Sequence, residues 1–149
     1  MRFKPNSTVA TIIEKDGQFL FVEEGDLTNP VFNQPAGHIE QGESIFEAAL
    51  RETLEETGCT VELTGYIGLY TYVAPSNQTM YHRHCFTAKL ISYDESYQLD
   101  DGIHGTKWLS LETLIASKQA RSPLVVKCLQ DYLARPALPL DIIYEHPND

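Results

Sequence analysis

The 149-residue sequence predicts an α/β fold in which a mixed β-sheet packs against helices. Three observations carry that expectation. Short β-branched and aromatic runs stand on both sides of a central helical stretch. That stretch, residues 44–58, is acidic and amphipathic and has recognisable signals at both ends. A second helical run opens at Ser122-Pro123 near the end of the chain. The length suits one domain, expected over residues 1–149.

The elements follow in order. Thr8 to Lys15 is apolar and β-branched, and Asp16-Gly17 is a hairpin turn signal. Gln18 to Glu23 alternates as the returning strand. Glu24 to Pro30 is expected as a polar loop, and Val31 to Pro35 as a short extended piece. Ser44, with Glu47 three residues on, gives a capping box at the start of the helix. Gly58 supplies the left-handed position after Thr57. Phe46, Leu50 and Leu54, flanked by Thr53 and Thr57, form the face expected to bury against the sheet, with Glu52 and Glu56 opposite. Glu47 and Arg51 are spaced as an i, i+4 ion pair, as are Arg51 and Glu55.

Beyond the helix, Val61 to Leu63 and Tyr66 to Val73 are two strand candidates, with Gly65 and Gly68 permitting bends. Ala74 to Asn77 is a turn, Tyr81 to Ile91 a long strand and Lys107 to Leu109 a short one. Leu111 to Ser117 is a brief helix. Ser122 and Pro123 cap and start the last helix, which runs to about Leu133 ahead of Pro136. Leu138 to Tyr144 is expected as an extended tail along the body.

Composition excludes several classes. The chain is 42% hydrophobic and 21% charged, as ordinary globular proteins are. Its apolar runs fall far short of the ~20 residues of a membrane span. The stretch from Val9 to Ile13 is too short for a signal-peptide core, so a cytoplasmic location is expected. Cys59, Cys85 and Cys128 are odd in number and widely spaced, which fits buried thiols rather than disulfides or zinc. A net charge of −10 argues against nucleic acid as a partner, because that binding depends on Lys and Arg displacing counterions.

The chemistry concentrates in Gly37 to Cys59, GHIEQGESIFEAALRETLEETGC. Glu52, Glu55 and Glu56 at i, i+3 and i+4 share an arc of about 100° on the helix. Like charges at this spacing destabilise a helix, so a cation is expected in front of them. Hard divalent ions prefer carboxylate oxygens and keep room for substrate phosphates, which makes Mg2+ the natural occupant. Mn2+ is the expected substitute. Arg51, inside the cluster, is placed to orient a carboxylate.

This segment resembles the box of the Nudix hydrolase family, GX5EX7REUXEEXGU with U aliphatic. Gly37, Glu43, Arg51, Glu52, Glu55, Glu56 and Gly58 are in register, while Thr53 and Cys59 stand at the two aliphatic positions. The resemblance implies an α/β/α sandwich and hydrolysis of phosphoanhydrides in small-molecule substrates. It further implies that Glu52, Glu55 and Glu56 hold the metal with the Gly37 carbonyl, while Glu43 and Gly58 serve the structure. Glu52 or Glu55 doubles as catalytic base in this reading. Relatives often carry an acid ahead of a strand with a Trp; here that stretch is Asp100-Asp101-Gly102-Ile103-His104-Gly105-Thr106-Lys107-Trp108. Asp100, Asp101 and His104 therefore remain further candidates for the base.

On the long strand His82 and His84 share one face and Arg83 takes the other. Arg83 is the candidate contact to substrate phosphate, and Tyr72 and Tyr81 are candidate rings for stacking on a base. Shorter pieces, FKP, TVA, FVEEG, NQPAGHIE, RSPLV and PLDII, resemble a bacterial phosphatase branch of the same family. That likeness implies release of orthophosphate from nucleoside tri- and diphosphates. It also implies conversion of hydroxymethylpyrimidine pyrophosphate, a thiamine-pathway intermediate, to the monophosphate. The alternatives are a pyrophosphohydrolase releasing pyrophosphate or a nucleoside monophosphate, and a non-catalytic nucleotide-binding domain. Either a monomer or a homodimer is compatible with the sequence.

Overall fold

The computed structural model describes residues 1–148; Asp149, the last residue of the span expected as one domain, lies outside them. The elements run β1 (Asn6–Lys15), β2 (Gln18–Asp26), β3 (Asn29–Asn33), β4 (Ala36–His38), α1 (Ile45–Thr57), β5 (Cys59–Val73), β6 (Met80–Tyr93), β7 (Ile103–Leu109), α2 (Leu111–Ser117) and α3 (Pro123–Ala134). A single 3₁₀ turn, Leu140–Ile142, follows.

The sheet is mixed, with the main order β3-β2-β1-β6-β5 and β4 and β7 paired to β1 and β2. β1 is its hub: antiparallel to β2 and β4, and parallel to β6. The alternation of β1 sends its side chains to two cores. Ala10 and Ile12 meet Leu114 of α2 and Val125 and Leu129 of α3 on one face. Val9 joins Ala48, Ala49 and Phe86 on the other, under α1. Helices thus cover both faces, as an α/β/α sandwich requires. Cys59, Cys85 and Cys128 are all buried free thiols.

Four local expectations need correction. The span Glu24–Pro30 is strand rather than loop, because Asp26 Oδ1 accepts from the Thr28 amide and hydroxyl at 2.9 Å and closes a two-residue turn. Pro30 is tolerated there because β3 is an edge strand. The two strands expected between Val61 and Val73 are one, since register shifts at Leu63/Gly65 and Tyr66/Gly68 absorb the bends without breaking β5. β7 begins at Ile103, well before Lys107, because β2 supplies a long partner for it. The tail is extended only at first: Leu138 exchanges two 2.8 Å backbone hydrogen bonds with Tyr66, then the chain turns.

The buried face of α1 also differs from expectation. Its capping box forms as read, with Ser44 accepting from the Glu47 amide and Gly58 ending the helix at φ 75°. The buried residues, however, are Ala48, Ala49, Thr53, Glu56 and Thr57, while Leu50 is 39% exposed. Small side chains bring the helix close to β1, where the Thr53 and Thr11 hydroxyls lie 3.1 Å apart. Thr53, at an aliphatic position of the box, gives its proton to the Ala49 carbonyl at 2.7 Å, so the hydroxyl is satisfied in the core. Phe46 still packs on Phe86, with ring centroids 5.7 Å apart. Beyond the start of α1, Glu145 Oε2 accepts from the Ile45 amide at 3.0 Å and satisfies one of the first-turn donors. Leu140 and Ile143 pack onto the same core.

On the opposite face the buried Asp131 carboxylate accepts from the Tyr70 hydroxyl at 2.7 Å and from Lys127 Nζ at 3.0 Å, tying α3 to β5. These bonds, the tyrosine's first, hold its carboxyl below the usual range. The folded value lies below the unfolded one, so this stabilisation is present above the ordinary Asp range and fades as pH falls through it. Tyr70→Phe should cost about 1–3 kcal/mol at pH 7. Urea titrations at neutral and at acid pH should show that deficit shrinking as Asp131 protonates.

Candidate active site

Two neighbouring segments build the site. Strand β4 places Gly37 beside β1, and α1 carries Arg51, Glu52, Glu55 and Glu56 past it. The approach is too close for any side chain at residue 37: a Cβ there would fall inside the Glu52 carboxylate. Glycine is required at this point by space, not by backbone angle.

Arg51 organises the acids. Its Nε and Nη2 form a fork to Glu43 at 2.9 and 2.6 Å. Nη1 donates to Glu52 at 2.8 Å and to Glu55 at 3.1 Å, and Nη2 to the His38 carbonyl at 3.0 Å. The guanidinium pulls the Glu43 carboxyl down to about 2, helped by the Glu40 amide. Arg51 in turn is held protonated more firmly than usual by Glu43 and Glu52. The Arg51–Glu55 pair expected from the sequence is present. The Glu47–Arg51 pair is not, because Glu47 folds back on the Ser44 amide at 2.9 Å and Glu43 takes its place.

The box carboxylates separate into two environments. Glu52, Glu55 and Asp100 each bring an oxygen within 4.8 Å of the others. The Asp100 amide donates to the Glu55 carbonyl at 3.1 Å, which anchors the segment ahead of β7 against the helix. Glu56 lies deeper, 9% exposed, and accepts from the Ala36 amide at 2.9 Å. Burial pushes its carboxyl up to about 8 against that hydrogen bond, with Glu24 adding to the rise. Burial likewise raises Glu52, opposed by Arg51. The three convergent carboxylate oxygens are a donor set that fits a divalent cation, and Arg51 orients two of them. Asp101 lies in an exposed turn, and the His104 imidazole bonds to the Gly25 carbonyl, outside the acid cluster.

A cleft of about 720 Å³ opens beside these groups. Gly37, Glu52 and Glu56 line one part of it, and Arg83, Tyr72 and Tyr81 another. Tyr72 and Tyr81 are direct partners across β5 and β6. His84 points to the opposite face, where its Nδ1 lies 3.0 Å from the Tyr66 hydroxyl. Sequence reasoning missed Glu24 and Arg121, which pair at 2.6 Å in the cleft wall, and Asn33 on its floor. These come from segments up to 97 residues apart, and each alone resembles an ordinary surface residue.

A mixed sheet covered by helices on both faces, with carboxylates gathered on one helix beside a glycine strand, defines an α/β/α sandwich protein with an acidic centre. The chain belongs to the Nudix hydrolases: residues 3–128 match the NUDIX domain family. It is 36% identical over 141 residues to the Phosphatase NudJ of Escherichia coli strain K12, spanning 95% of this chain and 92% of that protein. A NUDIX hydrolase from Nitrosomonas europaea superposes with a TM-score of 0.92 at 43% identity, covering 96% of this chain and 98% of that one. An Ap4A hydrolase from C. elegans superposes at 0.67 with 24% identity, covering 87% and 96%, and shares the fold.

Gly37→Ala should displace the Glu52 carboxylate while sparing the fold, because the clash is with the end of a flexible side chain. A loss of about 100-fold in kcat is expected, with little change in thermal midpoint. Arg51→Ala should lower both, since it leaves Glu43, Glu52 and Glu55 facing one another without their shared donor. Parallel turnover and melting measurements on the two variants separate these outcomes.

Proposed function

We propose that the protein is a Mg2+-dependent phosphatase, with Mn2+ able to substitute, that releases orthophosphate from nucleoside tri- and diphosphates and from hydroxymethylpyrimidine pyrophosphate. The observation that carries this reading is the convergence of Glu52, Glu55 and Asp100 beside Gly37. Likeness to the E. coli Phosphatase NudJ along nearly the whole chain supports the choice of orthophosphate over pyrophosphate as product.

In this reading Glu52, Glu55 and Glu56, with the Gly37 carbonyl, hold the cation, and Asp100 completes the acidic wall. The bound ion supplies charge neutralisation on the phosphoryl oxygens and a more acidic water. The side chains do the rest. Arg51 fixes the directions of Glu52 and Glu55. Glu55, a third exposed where the Glu52 side chain is 12% exposed, has the access to solvent that a base accepting the proton of the attacking water needs. Glu43 and Gly58 serve the frame, one clamping Arg51 and the other ending the helix. Arg83, Tyr72 and Tyr81 hold the remainder of the substrate. The reading extends to a cytoplasmic enzyme acting on small molecules, without nucleic acid or membrane partners, as a monomer or homodimer.

A product assay on nucleoside tri- and diphosphates and hydroxymethylpyrimidine pyrophosphate, with Mg2+ and with EDTA, tests this. Orthophosphate as the sole new product, abolished by EDTA, is expected. Pyrophosphate released from the triphosphates would replace this reading with the pyrophosphohydrolase one. Glu52→Gln and Glu55→Gln should each lower kcat/KM by about 100-fold or more, because a neutral amide is a poor ligand for a hard cation.

A further inference from the structure

Arg83 is buried to 93% of its surface, with 7% exposed, yet it lines the cleft. Its Nη1 donates to Gln34 Oε1 and its Nη2 to Asn33 Oδ1, both at 2.8 Å. Both partners are neutral amides. Among the described residues no carboxylate comes within ion-pair distance of this guanidinium, whereas Arg121, the other arginine of the cleft, is paired to Glu24. A buried cation without a counter-charge is costly unless its donors are used. The guanidinium also lies against the Cys128 sulfur, and of its five N–H groups some remain beyond these contacts.

The neighbours give the floor a single polarity. Gln34 is locked by its own amide, which donates to the Val125 carbonyl at 2.9 Å, so its oxygen must face Arg83. Asn33 spends its oxygen on Arg83, which leaves its NH2 group as the other donor at the floor. The floor therefore presents donors and asks for acceptors. Its position says which acceptors. Thr8 of β1 is opposite His38 of β4 and beside Arg83 of β6, so the Arg83 backbone lies two strand spacings, about 10 Å, from the Gly37 strand, and its guanidinium reaches back to Asn33 and Gln34. Tyr81, two residues before Arg83 on β6, shares its face, so aromatic surface suited to a ring lines the cleft beside it. Tyr72 and Tyr81, paired across the neighbouring strands, flank this end.

We propose that Arg83, set by Asn33 and Gln34, reads the edge of a heteroaromatic base that displays two adjacent acceptors, as the N7/O6 edge of guanine and the O2/N3 edge of cytosine do. Adenine and uracil break such an edge with a donor. The inference rests on the phosphoanhydride reading above and names the nucleotide class within it.

The test is kcat/KM for GTP, CTP, ATP, UTP and inorganic tripolyphosphate, measured for the native enzyme and for Arg83→Lys. The native enzyme should favour GTP, CTP or both over ATP and UTP by about tenfold or more. Arg83→Lys keeps the charge and loses the planar fork, so that preference should shrink to about threefold or less. Its loss on the preferred nucleotide should exceed its loss on tripolyphosphate, which has no ring, by at least about fivefold. Equal losses on both would assign Arg83 to the phosphates and overturn the inference. Four native values within about threefold of one another would overturn it without any variant, which covers the case of a substitution that fails to fold. Turnover of tripolyphosphate or of none of the set, with all four nucleotides refused, would instead overturn this inference together with the nucleoside-triphosphate part of the functional reading.

Discussion

The fork from Arg51 to Glu43 is the contact on which the site depends. One guanidinium joins the loop before α1, the strand β4 through the His38 carbonyl, and two carboxylates of the helix itself. Without it, Glu43, Glu52 and Glu55 would repel one another at close range. The fork is two parallel charge-assisted bonds, so it fixes direction as well as distance. Glu52 can then stand where Gly37 leaves room for it. Energetically a partly exposed ion pair contributes little to folding, about 1 kcal/mol or less. Its effect here is on geometry: three acids that would otherwise spread apart are kept on one side of the helix.

The two carboxylates at the ends of the triplet, Glu52 and Glu56, show how one helix sets different proton affinities four residues apart. Glu56 lies deep among Ala48, Ala49 and Thr53 and accepts a single amide bond, so burial dominates and raises its carboxyl to about 8. Glu52 is also desolvated, but Arg51 counters the rise. The small residues that let α1 lie close to β1 are therefore also what makes Glu56 deep. Packing and acid–base behaviour have the same cause.

Much of this was legible in the sequence because it is local. The capping box, the Gly58 terminus, the Asp16-Gly17 turn and the spacing of the box carboxylates depend on residues within a few positions of one another. Hydrophobicity alone selects Phe46, Leu50 and Leu54 as the buried face of α1, whereas the short distance to the sheet selects small side chains. The deep placement of Glu56 follows from the same distance. The sequence neighbourhood of Asp100 marks it as a candidate base, but its approach to Glu52 and Glu55 is set by the β6–β7 connection, where pattern is weak. Asn33, Gln34, Glu24 and Arg121 meet only through strand pairing and the α2–α3 loop, so no local rule assembles them.

The bond from the Ile45 amide to Glu145 spans 100 positions of chain, and Leu138 is joined to Tyr66 by a similar long closure. During synthesis the helix that bears the acids leaves the ribosome long before the residues that finish its first turn and cover Phe86 and Tyr66. Until they arrive, the first-turn amide of Ile45 and the Phe86–Tyr66 side of the sheet stay open to water, while the rest of the helix already packs on β1. The order of events is then built into the topology. Closing such distant contacts is entropically slow compared with forming the helix itself. The tail that caps the helix and covers Phe86 and Tyr66 is thus the part of the fold supplied last, while the acids themselves gather from residues made earlier.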